Sequence, residues 1–200
     1  MSVPNSTTSL PAGYRLAETI DLQKDKKAAL KVNLLGLGAM LLMILAMLPF
    51  RRLHLPQTGE PGPFLLRAAV LCAAYLAYIA LHELTHAAVM RHFGARKVRF
   101  GFTGLYAFAG SEEDYFAKLP YRAIALAPLL VWGVLFGLLC LLVPRDWFWT
   151  AWLLQVGNVS GAMGDVWVTL HLRHRPDACL IRDTGVNMQV WVPGEREEQA

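Results

Sequence analysis

The pentapeptide HELTH, from His82 to His86, is the part of the sequence whose residue types and spacing point most directly to chemistry. On a helix, residues i and i+4 lie on the same face, so both imidazoles can bind one metal ion. Glu83 lies beside them, where it can take a proton from a metal-bound water. Two histidines and one carboxylate form a hydrolytic zinc set with one coordination position left open. The motif therefore predicts Zn2+ bound by His82 and His86, with Glu83 as the catalytic base.

The chain that carries this motif is unusually apolar. Of its 200 residues, 55% are hydrophobic and 17% are charged, whereas a typical globular chain has about 25% charged residues. These values disfavour an ordinary soluble enzyme and a disordered chain. The three widely spaced cysteines exclude a disulfide framework and a CxxC metal site. The composition predicts a membrane protein.

Four apolar stretches are each near or above the ~20 residues that a membrane-spanning helix needs. They cover about residues 32–50, 64–90, 123–143 and 147–170. The predicted fold class is an α-helical integral membrane protein, with about four transmembrane helices and small cytoplasmic β-hairpin elements. A cytoplasmic segment, 1–31, precedes the transmembrane domain 32–170, and a cytoplasmic hairpin and tail, 171–200, follow it.

The distribution of basic residues predicts the orientation. The N-terminal segment has five Lys and Arg, the loop between the second and third spans has six, and the C-terminal tail has four, so fifteen of the nineteen lie on one side. Basic residues mark cytoplasmic loops. Both termini and the middle loop should therefore be cytoplasmic, in a multi-pass protein of the cell membrane. Topology thus explains the net charge of +4, and no nucleic-acid surface is predicted.

Two regions outside the spans have patterns typical of hairpins. Residues 97–108 partly alternate polar and apolar side chains between glycines, and residues 178–192 have two strand-like runs around Asp183-Thr184-Gly185. Ser111, followed by three acidic residues, is typical of a helix N-terminus. The last residues, EREEQA, resemble a solvated tail.

The position of Asp165 along the fourth predicted span indicates that it is the third zinc ligand. Asp165 is the acidic residue other than Glu83 inside a predicted span. It lies about five residues from the cytoplasmic end of the fourth span, and HELTH lies at a similar depth in the second. Asp165 also belongs to a polar stripe with Asn158, at helical spacing. The two spans can therefore place their polar groups side by side.

Other interpretations of the same residues stay open at this point. HELTH can be the solvated cytoplasmic end of its helix, and Asp165 can be a counter-ion to a cytoplasmic arginine such as Arg173. Asn158 can make an ordinary packing hydrogen bond. The glycines of the fourth span, Gly157, Gly161 and Gly164, are equally consistent with close helix packing.

HELTH in one span, followed by NVSGAMGD (Asn158 to Asp165) in a later one, resembles the small integral-membrane zincin metallopeptidases. These form a family of unknown function related to the site-2 proteases. The resemblance covers about residues 64–170 and implies that His82, His86 and Asp165 bind zinc and that Glu83 is the base. It also implies that Asn158 orients the substrate or the oxyanion. The site-2 pattern has Leu-Asp-Gly after a proline-containing stretch, whereas here glycine precedes Asp165 and valine follows it.

The sequence therefore predicts an intramembrane zinc metallopeptidase that hydrolyses membrane-embedded protein or peptide substrates with a zinc-activated water. Residues 97–108 could bind the substrate as an added strand. The alternative is a non-catalytic zinc-binding or pseudo-peptidase protein that acts on partners in the lipid bilayer. A di-iron hydroxylase is a third possibility, which would need a second histidine pair such as His171-x-x-His174.

Overall fold

A computed structural model describes residues 5–51, 62–104 and 106–194 of the chain. Its helices are α1 (Lys26–Met47), α2 (Gly62–His92), α3 (Lys118–Leu142), α4 (Phe148–Gly161) and α5 (Met163–Leu172). Its strands are β1 (Ser6–Thr7), β2 (Tyr14–Ile20), β3 (Arg99–Phe102), β4 (Ala107–Gly110), β5 (Tyr115–Ala117), β6 (Leu180–Asp183) and β7 (Met188–Pro193). The predicted helical fold with small antiparallel sheets is confirmed. The predicted tail, EREEQA, lies outside the described residues.

In the described part of the chain, α1, α2 and α3 are long and apolar enough to cross a membrane. Their outward faces carry large apolar side chains, such as Leu42 on α1 and Leu141 on α3, which are 70% and 81% exposed. Apolar surface on this scale is unfavourable in water and is typical of a face that contacts hydrocarbon. These helices indicate that the protein associates with a membrane.

The fourth predicted span is divided in the structure, so a count of four spans is not confirmed. Its residues form α4 and α5, which meet at Ala162, a residue with φ −82° and ψ 7°. Three glycines and a serine lie close to this joint. Such residues are weak helix formers, which explains why one continuous helix does not form. As a result, Asp165 lies in the first turn of a separate short helix.

A five-stranded antiparallel sheet, in the order β1-β5-β6-β7-β2, lies at one end of the helices. It joins strands from the N-terminal segment, the middle loop and the C-terminal hairpin. The C-terminal hairpin has the predicted turn, in which Gly185 has φ +81°. The N-terminal strands were not anticipated, because β1 and β2 have no pattern that separates them from a solvated segment. The three segments thus lie at the same end of the molecule.

The middle loop differs from one sequence prediction. The hairpin at 97–108 forms, since β3 pairs with β4, but Ser111 does not begin a helix. Its hydroxyl donates to Asp114 at 2.6 Å, and its N–H donates to the carbonyl of Asp183 at 2.7 Å. The chain then adds β5 to the large sheet before α3 begins at Lys118. The prediction was wrong because Ser111 and Asp114 form a turn that holds β4 beside β6.

The main core lies between the large sheet and the ends of the helices. Phe116, Ile181 and Val190 on the sheet are fully buried against Ile124 of α3 and Leu172 of α5. Truncation of such side chains typically costs about 2–5 kcal/mol. This packing fixes the sheet-side ends of α3 and α5 relative to each other, close to the predicted metal site.

Candidate metal centre

The structure brings His82, His86 and Asp165 together on α2 and α5. The two Nε2 atoms are 3.2 Å apart. Oδ2 of Asp165 is 3.4 Å from Nε2 of His82 and 3.6 Å from Nε2 of His86. His86 is buried, and the side chains of His82 and Asp165 are mostly covered. One possible ligand atom from each residue thus points to a common centre.

These separations fit a tetrahedral metal ion. When zinc binds nitrogen and oxygen ligands at about 2.0–2.1 Å, neighbouring ligand atoms of the tetrahedron are about 3.3–3.4 Å apart. The three observed separations, 3.2, 3.4 and 3.6 Å, bracket that value. The donor set also has the composition of a catalytic zinc centre, which has three protein ligands and one position for water or substrate.

The hydrogen bond of His86 shows which of its ring nitrogens is free to bind a metal. Nδ1 lies 2.9 Å from the backbone carbonyl of Ile124 on α3. A carbonyl oxygen can only accept, so Nδ1 must carry the hydrogen. The lone pair of the neutral imidazole is therefore on Nε2, the atom that faces Asp165.

His82 is held in the same tautomer by a chain of side chains. Asn158 of α4 is fully buried; its Nδ2 donates to the carbonyl of Leu129 at 3.2 Å, and its Oδ1 accepts from the Tyr78 hydroxyl at 2.8 Å. Because the Tyr78 hydrogen goes to Asn158, the Tyr78 oxygen accepts from Nδ1 of His82, at 2.9 Å. Nε2 of His82 is then left with its lone pair.

Three acceptor atoms thus converge within 3.6 Å of one another, which is unfavourable unless a cation lies between them. Arg173, the counter-ion considered for Asp165, instead donates to His174 at 2.8 Å. His171, of the second histidine pair, bonds to Glu18 at 2.8 Å. Among the described residues, the group on α2 and α5 is the one that could hold a metal ion. The residues present therefore fit zinc.

A cavity of about 330 Å³ adjoins the three ligand atoms. Glu83 lies on its wall, near the backbone N–H of Ala109 on β4. Residues 107–109 also line it, so the small hairpin covers part of the site. The cavity can therefore hold a substrate beside β4 and the predicted base.

The wall of this cavity includes a pair that sequence reasoning missed, Tyr121 and Asp183. The Tyr121 hydroxyl donates to Oδ2 of Asp183 at 2.5 Å, and the N–H of Gly185 donates to Oδ1 at 2.8 Å. Burial raises the pKa of the Asp183 carboxyl, against the opposing effect of these hydrogen bonds. No sequence signal connects the two residues, because they meet only through the packing of β6 on α3.

Five site residues are predicted from the sequence, and the structure places four of them around one cavity. His82, Glu83, His86 and Asp165 line it, whereas Asn158 lies behind His82 with its amide engaged. Tyr78 lies at helical spacing from His82 and His86, on the same face of α2, but no role was predicted for it from the sequence. Its position, four residues before His82, is the signal that could have identified it as a partner of that ring.

A protein-family model described as "Putative zincin peptidase" matches residues 75–180. The matched region is more than half of the chain and contains all five predicted site residues. It begins within α2 and ends at the start of β6, so α1, β2 and β7 lie outside it. No curated protein and no solved structure matches the chain.

Proposed function

The chain belongs to the family described as putative zincin peptidases, and from this premise we propose that it is an intramembrane zinc metallopeptidase. Its substrates would be membrane-embedded proteins or peptides. The observation that carries the proposal is the tetrahedral spacing of the ligand atoms of His82, His86 and Asp165, with Glu83 on the wall of the same cavity.

Zinc at this position would supply Lewis acidity to the scissile carbonyl and lower the pKa of the attacking water. Glu83 would hold the proton taken from that water and deliver it to the leaving amine. The Glu83 carboxyl lies on the wall of the cavity that the three ligand residues also line, which supports this role. Tyr78 and Asn158 would act through His82, by keeping its Nε2 unprotonated, without touching the substrate.

The outer edge of β4 is suited to bind an extended substrate. The N–H of Thr103 donates to the carbonyl of Tyr106 at 3.0 Å, which makes these two residues a hydrogen-bonded pair. Pairs alternate along an antiparallel ladder, so Ala107 and Ala109 direct their backbone groups away from β3. Both residues line the cavity. We propose that a substrate strand adds to this edge and that its scissile bond then faces Glu83.

The proposed relation to the site-2 proteases and the proposed orientation rest on separate observations. A HExxH helix and a carboxylate from a later helix meet among apolar helices, as in the site-2 pattern. The three segments rich in Lys and Arg lie at one end of the molecule, where they form the large sheet. If this end is cytoplasmic, as the basic residues predict, water and the sheet lie on the same side as the metal centre.

Glu83→Gln is the variant that tests the proposal. The substitution keeps the size of the side chain and removes its capacity to hold the proton. We expect the purified full-length variant to keep its zinc and to lose cleavage of a quenched-fluorescent peptide library in detergent micelles by about 10³-fold or more. Glu113→Gln, at an exposed position, is the matched control and should behave as the wild type.

Three outcomes would contradict parts of the proposal. A Glu83→Gln variant that cleaves at the wild-type rate would show that Glu83 is not the base. Zinc bound by the wild type, without cleavage of any peptide, would favour the non-catalytic zinc-binding protein. Two iron ions per chain would favour the hydroxylase, although the second histidine pair is engaged with Glu18 and Arg173.

A further inference from the structure

His86 donates to a backbone carbonyl inside a helix. This is unusual, because such a carbonyl normally accepts the hydrogen bond of its own helix. In an α-helix the carbonyl of residue i accepts from the N–H of residue i+4. For Ile124 that partner is residue 128, which is a proline inside α3. Proline has no N–H, and its ring pushes away the carbonyl four residues earlier. The carbonyl of Ile124 is thus without its helical donor, and it lies 2.9 Å from Nδ1 of His86.

The composition of α3 shows why a backbone group takes this role. Metal-binding histidines usually donate their second ring hydrogen to a carboxylate, a carbonyl or water. Residues 123–142 of α3 contain no side chain with a carboxylate or an amide oxygen. A carboxylate there would be costly in an apolar helix. A carbonyl released by proline provides the acceptor without adding a polar side chain.

We propose that Pro128 is a positioning residue of the metal centre, which frees the Ile124 carbonyl to hold His86 with its Nε2 lone pair towards the metal. The inference rests on the proposed zinc site and adds a residue that no motif includes. Pro128 is fully buried, so it acts through the backbone of α3 and not by contact with substrate.

The test restores the missing N–H in the full-length protein. In Pro128→Val the side-chain volume stays similar, while the N–H of residue 128 can bond to the Ile124 carbonyl and compete with His86. In Pro128→Ala the same bond forms with less side-chain volume. We expect both variants to bind zinc about tenfold more weakly than the wild type in competition with a chromophoric chelator. The helix itself should become no less stable in Pro128→Val, because an interior proline weakens a helix.

Pro120→Ala is the matched control. Pro120 is also buried in α3, but it lies in the first turn, where the backbone N–H groups have no helical acceptor in any case. Its replacement should leave zinc affinity unchanged.

A second measurement reads the histidine tautomer directly. In the zinc-free wild type with 15N-labelled histidine, NMR should show His86 protonated at Nδ1 and unprotonated at Nε2. Pro128→Val should populate the Nε2–H form, an effect that a purely structural role of the proline would not produce.

Three results would overturn the inference. They are wild-type zinc affinity in Pro128→Val, weaker binding in Pro128→Ala alone, and an unchanged tautomer in both variants. The second would show that packing volume, and not the N–H, is what matters. None of these measurements uses peptide cleavage. A wild type that binds zinc but cleaves nothing would therefore contradict the proposed activity and leave this inference standing.

Discussion

The two histidines of the metal centre are supported by different helices and by different means. On the α4 side, His82 is held by a relay of side chains, Tyr78 and then Asn158. On the α3 side, His86 is held by one backbone carbonyl, that of Ile124. Both arrangements give the same result, a hydrogen on Nδ1 and a lone pair on Nε2.

The difference follows from the composition of the two supporting helices. The α4–α5 region is broken at Ala162, is rich in glycine and carries polar side chains such as Asn158. The buried Asn158 amide there bonds to the Tyr78 hydroxyl and to the Leu129 carbonyl. In contrast, α3 is continuous and apolar over residues 123–142. Over these residues, α3 can provide a hydrogen-bond acceptor for His86 only from its backbone, and only where a proline leaves a carbonyl without its helical donor.

Asn158→Leu should have the largest effect on the His82 side. Without Oδ1, the Tyr78 hydroxyl has no acceptor except Nδ1 of His82, which would then lose its hydrogen to Nε2. We expect zinc affinity to fall by about a hundredfold, the upper range for partners of metal ligands. The free energy of unfolding should fall by about 1–3 kcal/mol, because buried polar groups lose their partners. Chelator competition and thermal unfolding measure the two effects. Unchanged zinc affinity would contradict the proposed relay from Asn158 through Tyr78 to His82.

Tyr78→Phe should have a smaller effect on the same side. It removes the hydroxyl and keeps the aromatic contacts with Trp132 and Phe136. His82 then loses an acceptor but is not driven into the wrong tautomer, so we expect about a tenfold loss of zinc affinity. If Tyr78→Phe weakens zinc binding more than Asn158→Leu does, the tautomer argument is wrong.

Combining Tyr78→Phe with Pro128→Val tests whether the two sides are independent. They act on different histidines through separate acceptors, Asn158 and the Ile124 carbonyl, so their effects on the free energy of zinc binding should add within about 0.5 kcal/mol. Chelator competition on the two single variants and the double variant gives the coupling. A coupling above about 1 kcal/mol would show that the two sides form one unit.

Glu18→Gln should have the smallest effect on the metal. Glu18 of β2 pairs with His171 at 2.8 Å and with Arg175 at 2.6 Å, at the far end of the helix that carries Asp165. We expect the free energy of unfolding to fall by about 1 kcal/mol, because the pairs are partly exposed, with zinc affinity unchanged. Glu112→Gln, which breaks the exposed Arg99–Glu112 pair, should change neither. Loss of zinc in Glu18→Gln would show that β2 also helps to hold the metal ligands in place.

The comparison also explains how much the sequence could predict. HELTH and Asp165 could be identified from the sequence, because helical spacing and similar depth in apolar segments relate them directly. The helical fold and the hairpins followed from apolar runs and turn residues. Asn158 could be singled out from its polar stripe, but its hydrogen bond to Tyr78 depends on how closely α2 and α4 approach. They approach closely at Gly157, where the Tyr75 ring occupies the space that a side chain would fill.

The unpredicted features depend on long-range packing. The pairing of β2 with β7 joins segments more than 160 residues apart, and Tyr121 meets Asp183 only when β6 packs on α3. The break at Ala162 reflects a sum of weak helix formers, which a hydropathy pattern does not detect. Pro128 was visible in the sequence, but its effect on Ile124 has meaning only once His86 is placed beside that carbonyl.

The central claim is that His82, His86 and Asp165 bind one zinc ion. Quantification of bound metal in the purified full-length protein, beside His86→Ala and Asp165→Ala, tests it most directly. We predict one zinc per chain in the wild type and almost none in either variant, while all three keep the same helical content. A full complement of zinc in Asp165→Ala, or no zinc in the wild type, would contradict it.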